Sequence, residues 1–169
     1  MSYDPASPPL KSYWAALPDF ASGASTPRRF LESCIERFET TENSLKAFVC
    51  SDWEAARAAA DAATRRYEQD DVLSLIDGFP VGVKDVLDTA DLPTGYGSPI
   101  HEGARPVADA AAVALLRAAG MVVIGKTVTT EFAMRTPGPT RNPRNVGHTP
   151  GGSSSGSAAA VADGHAPLA

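Results

Sequence analysis

The sequence predicts an α/β fold in which a mixed or parallel sheet is flanked by helices. Three observations carry that prediction. Segments of helical periodicity alternate with short apolar runs, the pattern of α/β layers. Residues 121–125 are wholly apolar, as a strand covered on both faces requires. The chain has 169 residues, 43% of them hydrophobic and 21% charged, enough for one domain with a sizeable core. No internal repeat competes with this reading.

The elements follow in order. Residues 1–23 read as a loose lead-in around a short apolar piece at 13–20. Thr26 is placed to cap a helix, with Pro27 at its first position, where the missing N–H costs nothing. Phe30, Leu31, Cys34, Ile35 and Phe38 recur at helical spacing, so the helix is expected to run to about Phe38. Residues 45–50 read as a short strand. Ser51 followed by Glu54 forms a capping box, and an Ala-rich helix should run from there to about Tyr67. Phe79, Val81 and Val83 alternate as in a strand that ends at Lys84. A second Ala-rich helix is expected over 107–119, then the apolar strand 121–125, a Pro/Gly-punctuated loop over 142–152 and a small-residue helix over 153–162. The core should place the strands 81–83 and 121–124 between the helices 108–119 and 153–162.

Charge and composition exclude several function classes. Lys and Arg total 15 against 20 Asp and Glu, a net charge of −5. A general nucleic-acid or anionic-membrane binder needs a basic face instead. Two cysteines, Cys34 and Cys50, exclude a disulfide framework and a four-cysteine zinc site; two reduced, buried thiols are expected. No segment approaches ~20 consecutive apolar residues, and residues 1–10 lack the apolar stretch of a secretory signal. A cytoplasmic protein without metal or cofactor is the expectation.

The chemistry concentrates in the second half, where glycine and proline cluster after Asp77. The most unusual stretch is Pro150-Gly151-Gly152-Ser153-Ser154-Ser155-Gly156-Ser157-Ala158-Ala159-Ala160. Its glycines permit a sharp turn and its serines can open a helix, which presents hydroxyls and free N–H groups to one small volume. A phosphate cradle would need a lysine after the last glycine, where Ser157 stands. A flexible linker conflicts with the apolar run 158–161. A catalytic hydroxyl turn needs a base. His101, His148 and His165 show no orienting partner in the sequence and read as surface or loop residues. A lysine serves as base when burial disfavours its ammonium, and Lys84, at the end of an apolar strand, is the candidate. A strand-end lysine paired with Asp85 is the competing reading. Ser154 is either a supporting hydroxyl or an ordinary helix cap.

These residues stand in an order that resembles the amidase signature family: Gly78-Phe79-Pro80-Val81-Gly82-Val83-Lys84-Asp85, Thr94-Gly95-Tyr96-Gly97-Ser98, Asp109-Ala110, Gly125-Lys126-Thr127, Glu131-Phe132-Ala133, Asn142-Pro143 and the serine-rich turn. The match runs from about Leu75 to the end. The resemblance implies a layered amidase-signature fold, with residues 1–74 as a helical N-terminal layer and 75–169 as the start of the core. It implies an amidase that cleaves a carboxamide C–N bond through a Ser–cis-Ser–Lys triad. Lys84 matches the catalytic lysine and Ser153 the bridging serine, with a cis bond expected between Gly152 and Ser153. Ser154 matches a supporting hydroxyl, and Met134 lies in a loop that borders the active site in the family.

The sequence departs from the family in two respects. Counted from Ser153, the family's nucleophilic serine and its oxyanion turn fall beyond Ala169, so the chain reads as a truncated domain. Ser155 stands where many members carry glycine. A small-molecule amide is the expected ligand, with no direct nucleic-acid or membrane contact, and an oligomer or a complementary C-terminal segment as partner. Two alternatives stand beside the amidase: a non-catalytic remnant or interaction module, and part of the A-type subunit of a glutamine-dependent tRNA amidotransferase.

Overall fold

A computed structural model describes residues 12–169. Five helices and three strands form in the order α1 (Tyr13–Ser22), α2 (Pro27–Leu45), β1 (Phe48–Ser51), α3 (Trp53–Glu68), β2 (Pro80–Lys84), α4 (Ala111–Ala118), β3 (Val122–Thr127) and α5 (Ser155–Asp163). Two 3₁₀ turns lie at Pro99–His101 and Glu131–Ala133. The sheet order is β1-β3-β2, with β2 parallel and β1 antiparallel to the central strand. The mixed sheet flanked by helices is therefore as the sequence predicts.

The two faces of the sheet carry separate cores. On one, Val122 and Ile124 pack with Leu31 and Ile35 of α2, Ala56 and Ala60 of α3, and Ala166. On the other, Val81, Val83 and Val123 pack with Val113 of α4, Leu92 and Met121. The register between β2 and β3 is interrupted once. Val81 pairs with Val123 but Gly82 pairs with Gly125, so β3 carries one extra residue there. This bulge reverses the alternation beyond it. Lys126 then shares a face with its partner Val83, and Thr127 shares the opposite face with its partner Lys84. Gly125 makes this possible, because a Cβ there would lie 2.3 Å from the Cys50 carbonyl oxygen.

Several boundaries differ from expectation, each for a local reason. The expected lead-in holds α1, which the Ser12 side chain caps and Gly23 closes in the left-handed region; residues 1–11 lie outside the described part. Helix α2 runs past Phe38 to Leu45. Its polar last turns are held by Thr40 and Thr41 hydroxyls on the carbonyls four residues back, and Leu45 is buried. The cap of α3 is Asp52, whose carboxylate accepts from Ala55 N, because Ser51 is still paired in β1. Helix α4 starts only at Ala111. Ala110 N donates to Asp88 O and the Asp109 carboxylate accepts from Ala90 N, so this stretch ties down the 88–90 turn. The last strand is shifted to Val122–Thr127 and the last helix to Ser155–Asp163. Cys34 is buried, which pushes its thiol up to about 12. Cys50 is only half-buried, a correction to the pair of buried thiols, and both are free.

Candidate active site

Strand β2 delivers Lys84 at its C-terminal end, where open α/β sheets place their chemistry. Across the bulge-corrected face, the turn that opens α5 delivers Ser153. Lys84 Nζ lies 2.6 Å from Ser153 Oγ, within hydrogen-bonding distance, and the Gly152–Ser153 peptide is cis. Both side chains are half-buried. Among the described residues this is the only hydrogen bond that Lys84 Nζ makes. The expected competitor, a pair between Lys84 and Asp85, does not form; Asp85 turns to Lys126 instead.

The serine turn is fixed from two sides. Thr130 N donates to Ser153 O at 3.0 Å, and a Cβ on Gly152 would press to 2.7 Å from Thr130 Cγ2. Helix α5 is seated by Thr127 Oγ1 and Ser157 Oγ, 2.7 Å apart, and by Gly156, where a Cβ would lie 2.1 Å from Ala47 O. Ser154 stands at the N-cap position of α5 and is exposed, and its side chain makes no capping bond. Met134 is exposed, and its carbonyl accepts from Thr130 Oγ1. It is thus linked through Thr130 to the Ser153 backbone. The turn before it holds Phe132 and Ala133 at φ of 48° and 57°, both left-handed.

Two groups escaped the sequence reading. The first is Lys126, wholly buried beside Asp85, a residue that a lysine inside an apolar strand should have flagged. Burial pushes its ammonium down from its ordinary value, and Asp85 opposes the shift. The second is His165, expected as a surface or loop residue: it lies in the loop after α5 but is fully buried, with Nε2 2.7 Å from Thr41 Oγ1 and 3.2 Å from Asp163 Oδ2. The Asp-x-His spacing was its visible signal. Burial raises the Asp163 carboxyl, but bonds from His165, Thr41 and Arg37 outweigh burial and hold it low. An open cavity of about 530 Å³ lies beyond Asp85, lined among others by Phe48, Val49, Gly97, Val128 and Pro139; neither Lys84 nor Ser153 lines it. No cluster of His, Cys, Asp or Glu among the described residues could hold a metal ion, and no helix among them is long and apolar enough to cross a membrane.

The Amidase family profile matches residues 29–169. The chain belongs to the amidase signature family. It is 43% identical over 159 residues to the A subunit of glutamyl-tRNA(Gln) amidotransferase from Chloroflexus aggregans, a match covering 90% of this chain and 33% of that protein. The same subunit from Mycobacterium bovis is 44% identical over 144 residues, covering 81% of this chain and 29% of its own. Among solved structures, peptide amidase from Stenotrophomonas maltophilia superposes with a TM-score of 0.85 at 29% identity, over 92% of this chain and 34% of that one. A chain from a vestigial complex, described as revealing the evolutionary origins of an s-triazine catabolic enzyme, gives 0.85 at 36% identity, over 92% and 36%. This amidase-family chain therefore spans about a third of the length of the relatives it matches.

Proposed function

We propose that Lys84 and Ser153 are the base and the relay of an amide-cleaving site in the protein that contains this chain. The observation that carries this reading is the 2.6 Å contact between Lys84 Nζ and Ser153 Oγ, across 69 positions of sequence. In its neutral form Lys84 takes the Ser153 hydroxyl proton, and Ser153 Oγ takes the proton of the attacking serine. That serine forms a C–O bond to the carboxamide carbon. Collapse of the tetrahedral adduct breaks the C–N bond, and the relay returns the proton to the leaving amine. Ser154, exposed at the head of α5, and Met134, beside Thr130, are read as a supporting hydroxyl and a substrate-facing side chain.

The relatives favour one form of this chemistry. The two sequence relatives named above are amidotransferase A subunits, so glutamine is the amide donor we favour, with ammonia passed on within a complex. The test uses the complete protein and Lys84→Ala. Ammonia release from glutamine that Lys84→Ala abolishes supports both statements. Release from simple amides but not from glutamine keeps the triad and replaces the donor. Turnover that survives Lys84→Ala overturns the assignment.

A further inference from the structure

Lys126 is a charged side chain with no exposure, and the chemistry above leaves it unused. Its Nζ donates to Leu87 O at 2.8 Å, Pro93 O at 3.2 Å and Thr94 Oγ1 at 2.6 Å, with Asp85 Oδ1 3.5 Å away. Three acceptors around one nitrogen use all three N–H bonds of an ammonium. No lone pair is left to take a proton and no donor is left to offer a substrate. Its work is therefore mechanical, and the bonds show what it holds. Leu87, Pro93 and Thr94 all belong to the segment between Lys84 and the 95–98 turn. The Asp85 carboxylate, the counter-charge, accepts from Gly95 N at 3.1 and 3.2 Å.

The turn held in this way reaches back to the serine. Tyr96 and Gly97 adopt φ of 55° and 67°. Tyr96 O accepts from Phe132 N at 2.8 Å, and Ser98 Oγ donates to Glu131 Oε1 at 2.8 Å. These two bonds grip the turn whose Phe132 and Ala133 are both left-handed, a conformation that side-chain-bearing residues hold only when their surroundings impose it. The same turn is anchored at Thr130, whose N–H bonds Ser153 O. One path of bonds thus leaves the sheet one residue after Lys84 and returns at Ser153.

We propose that Lys126, with Asp85 and Thr94, is a positioning residue that presents the 131–134 turn to the Lys84–Ser153 pair and so sets how an acyl group is bound. The proposal rests on the amide-cleaving reading for its kinetic consequence, while its structural consequence stands by itself. Two measurements test it. In hydrogen exchange on the 169-residue chain, Lys126→Met should speed the Gly95 and Phe132 amides by about ten-fold while the amides of α5 change little. In the complete protein, the same change should raise KM for the amide by about ten-fold and alter kcat far less. Unchanged exchange at Gly95 and Phe132 overturns the proposal. So does a loss confined to kcat, which would make Lys126 a participant in proton transfer. If Lys126→Met does not fold, Asp85→Asn and Thr94→Val each remove one partner and are read in the same way. Lys84→Ala separates the two readings: surviving turnover there defeats the amide-cleaving assignment, and the exchange result still decides whether Lys126 holds the turn.

Discussion

Lys84 and Lys126 lie on neighbouring parallel strands, one register step apart, yet the sheet treats them oppositely. Lys126 is sealed on the α4 face among three acceptors and a carboxylate. Lys84 is half-buried on the α5 face, its amine meeting one hydroxyl. A buried lysine nitrogen with three acceptors around it and a counter-charge nearby holds structure. The Lys84 amine, by contrast, meets a hydroxyl, and among the described residues no carboxylate pairs with it. The difference arises from the bulge at Ile124–Gly125, without which simple alternation would send Lys126 to the face that holds Ile124.

The largest expected effect attacks Lys84 itself. Lys84→Ala in the complete protein should lower amide turnover by about 10²–10⁴-fold, the range of a general base, while thermal melting stays close to the parent. A large fall in melting temperature with modest kinetic loss would make Lys84 structural, and the contrast with Lys126 would collapse.

Next in size is the bulge. Gly125→Ala sets a Cβ against the Cys50 carbonyl, and relief requires β1 to move from β3. The expected cost is ~1–3 kcal/mol of stability, as for overpacking elsewhere. Both lysines depend on this one residue, so turnover should fall as well. Denaturant unfolding beside kinetics reads both effects. A neutral Gly125→Ala would mean that the register on the Lys84 face does not need the glycine.

How much of this was legible in the sequence depends on which interactions are local. The α/β class, the start of α2 at Thr26 and the two strands that frame the site were readable from periodicity and caps. The contact between Lys84 and Ser153 is expected only from the order of short motifs, since it bridges 69 positions and no periodicity reports it. The partners of Asp85 were misread, because sequence adjacency favoured Lys84 and only the bulge turns Lys126 toward it. The burial of His165 is not legible locally because its neighbours Thr41 and Glu42 lie on α2, more than 120 positions away. The start of α4 was missed because Asp88 and Asp109 use the 107–110 stretch to close a turn, which outweighs the helix propensity of its alanines.

A smaller effect sharpens the Lys84 face. Thr127, the register partner of Lys84, holds Ser157 and with it the head of α5. Thr127→Val keeps the shape and removes the hydroxyl, at a cost of ~1 kcal/mol for one unmade hydrogen bond. Turnover should fall less than in Lys84→Ala, with Ser153 less well placed. Equal loss in both variants would show that seating α5 matters to turnover as much as Lys84 does.

The smallest effect supplies the exposed counterpart of the buried Lys126–Asp85 pair. Glu32 on α2 accepts from Arg57 at 2.8 and 3.0 Å and from Arg28 at 2.8 Å. The bond from Arg57 and then that from Arg28 outweigh burial and hold its carboxyl at about 2, below the ordinary 4.5. A carboxyl whose folded value is depressed gives its full stabilisation above 4.5 and loses it as pH falls toward 2. Because Glu32 is about a third exposed, solvent screens the pair and the gain is small. Glu32→Gln should lower the melting temperature slightly at pH 7, and less still at high salt, whereas Asp85→Asn should cost more and be nearly indifferent to salt. Equal salt sensitivity in the two variants would place water at Asp85 and remove the distinction between the sealed lysine and the open one.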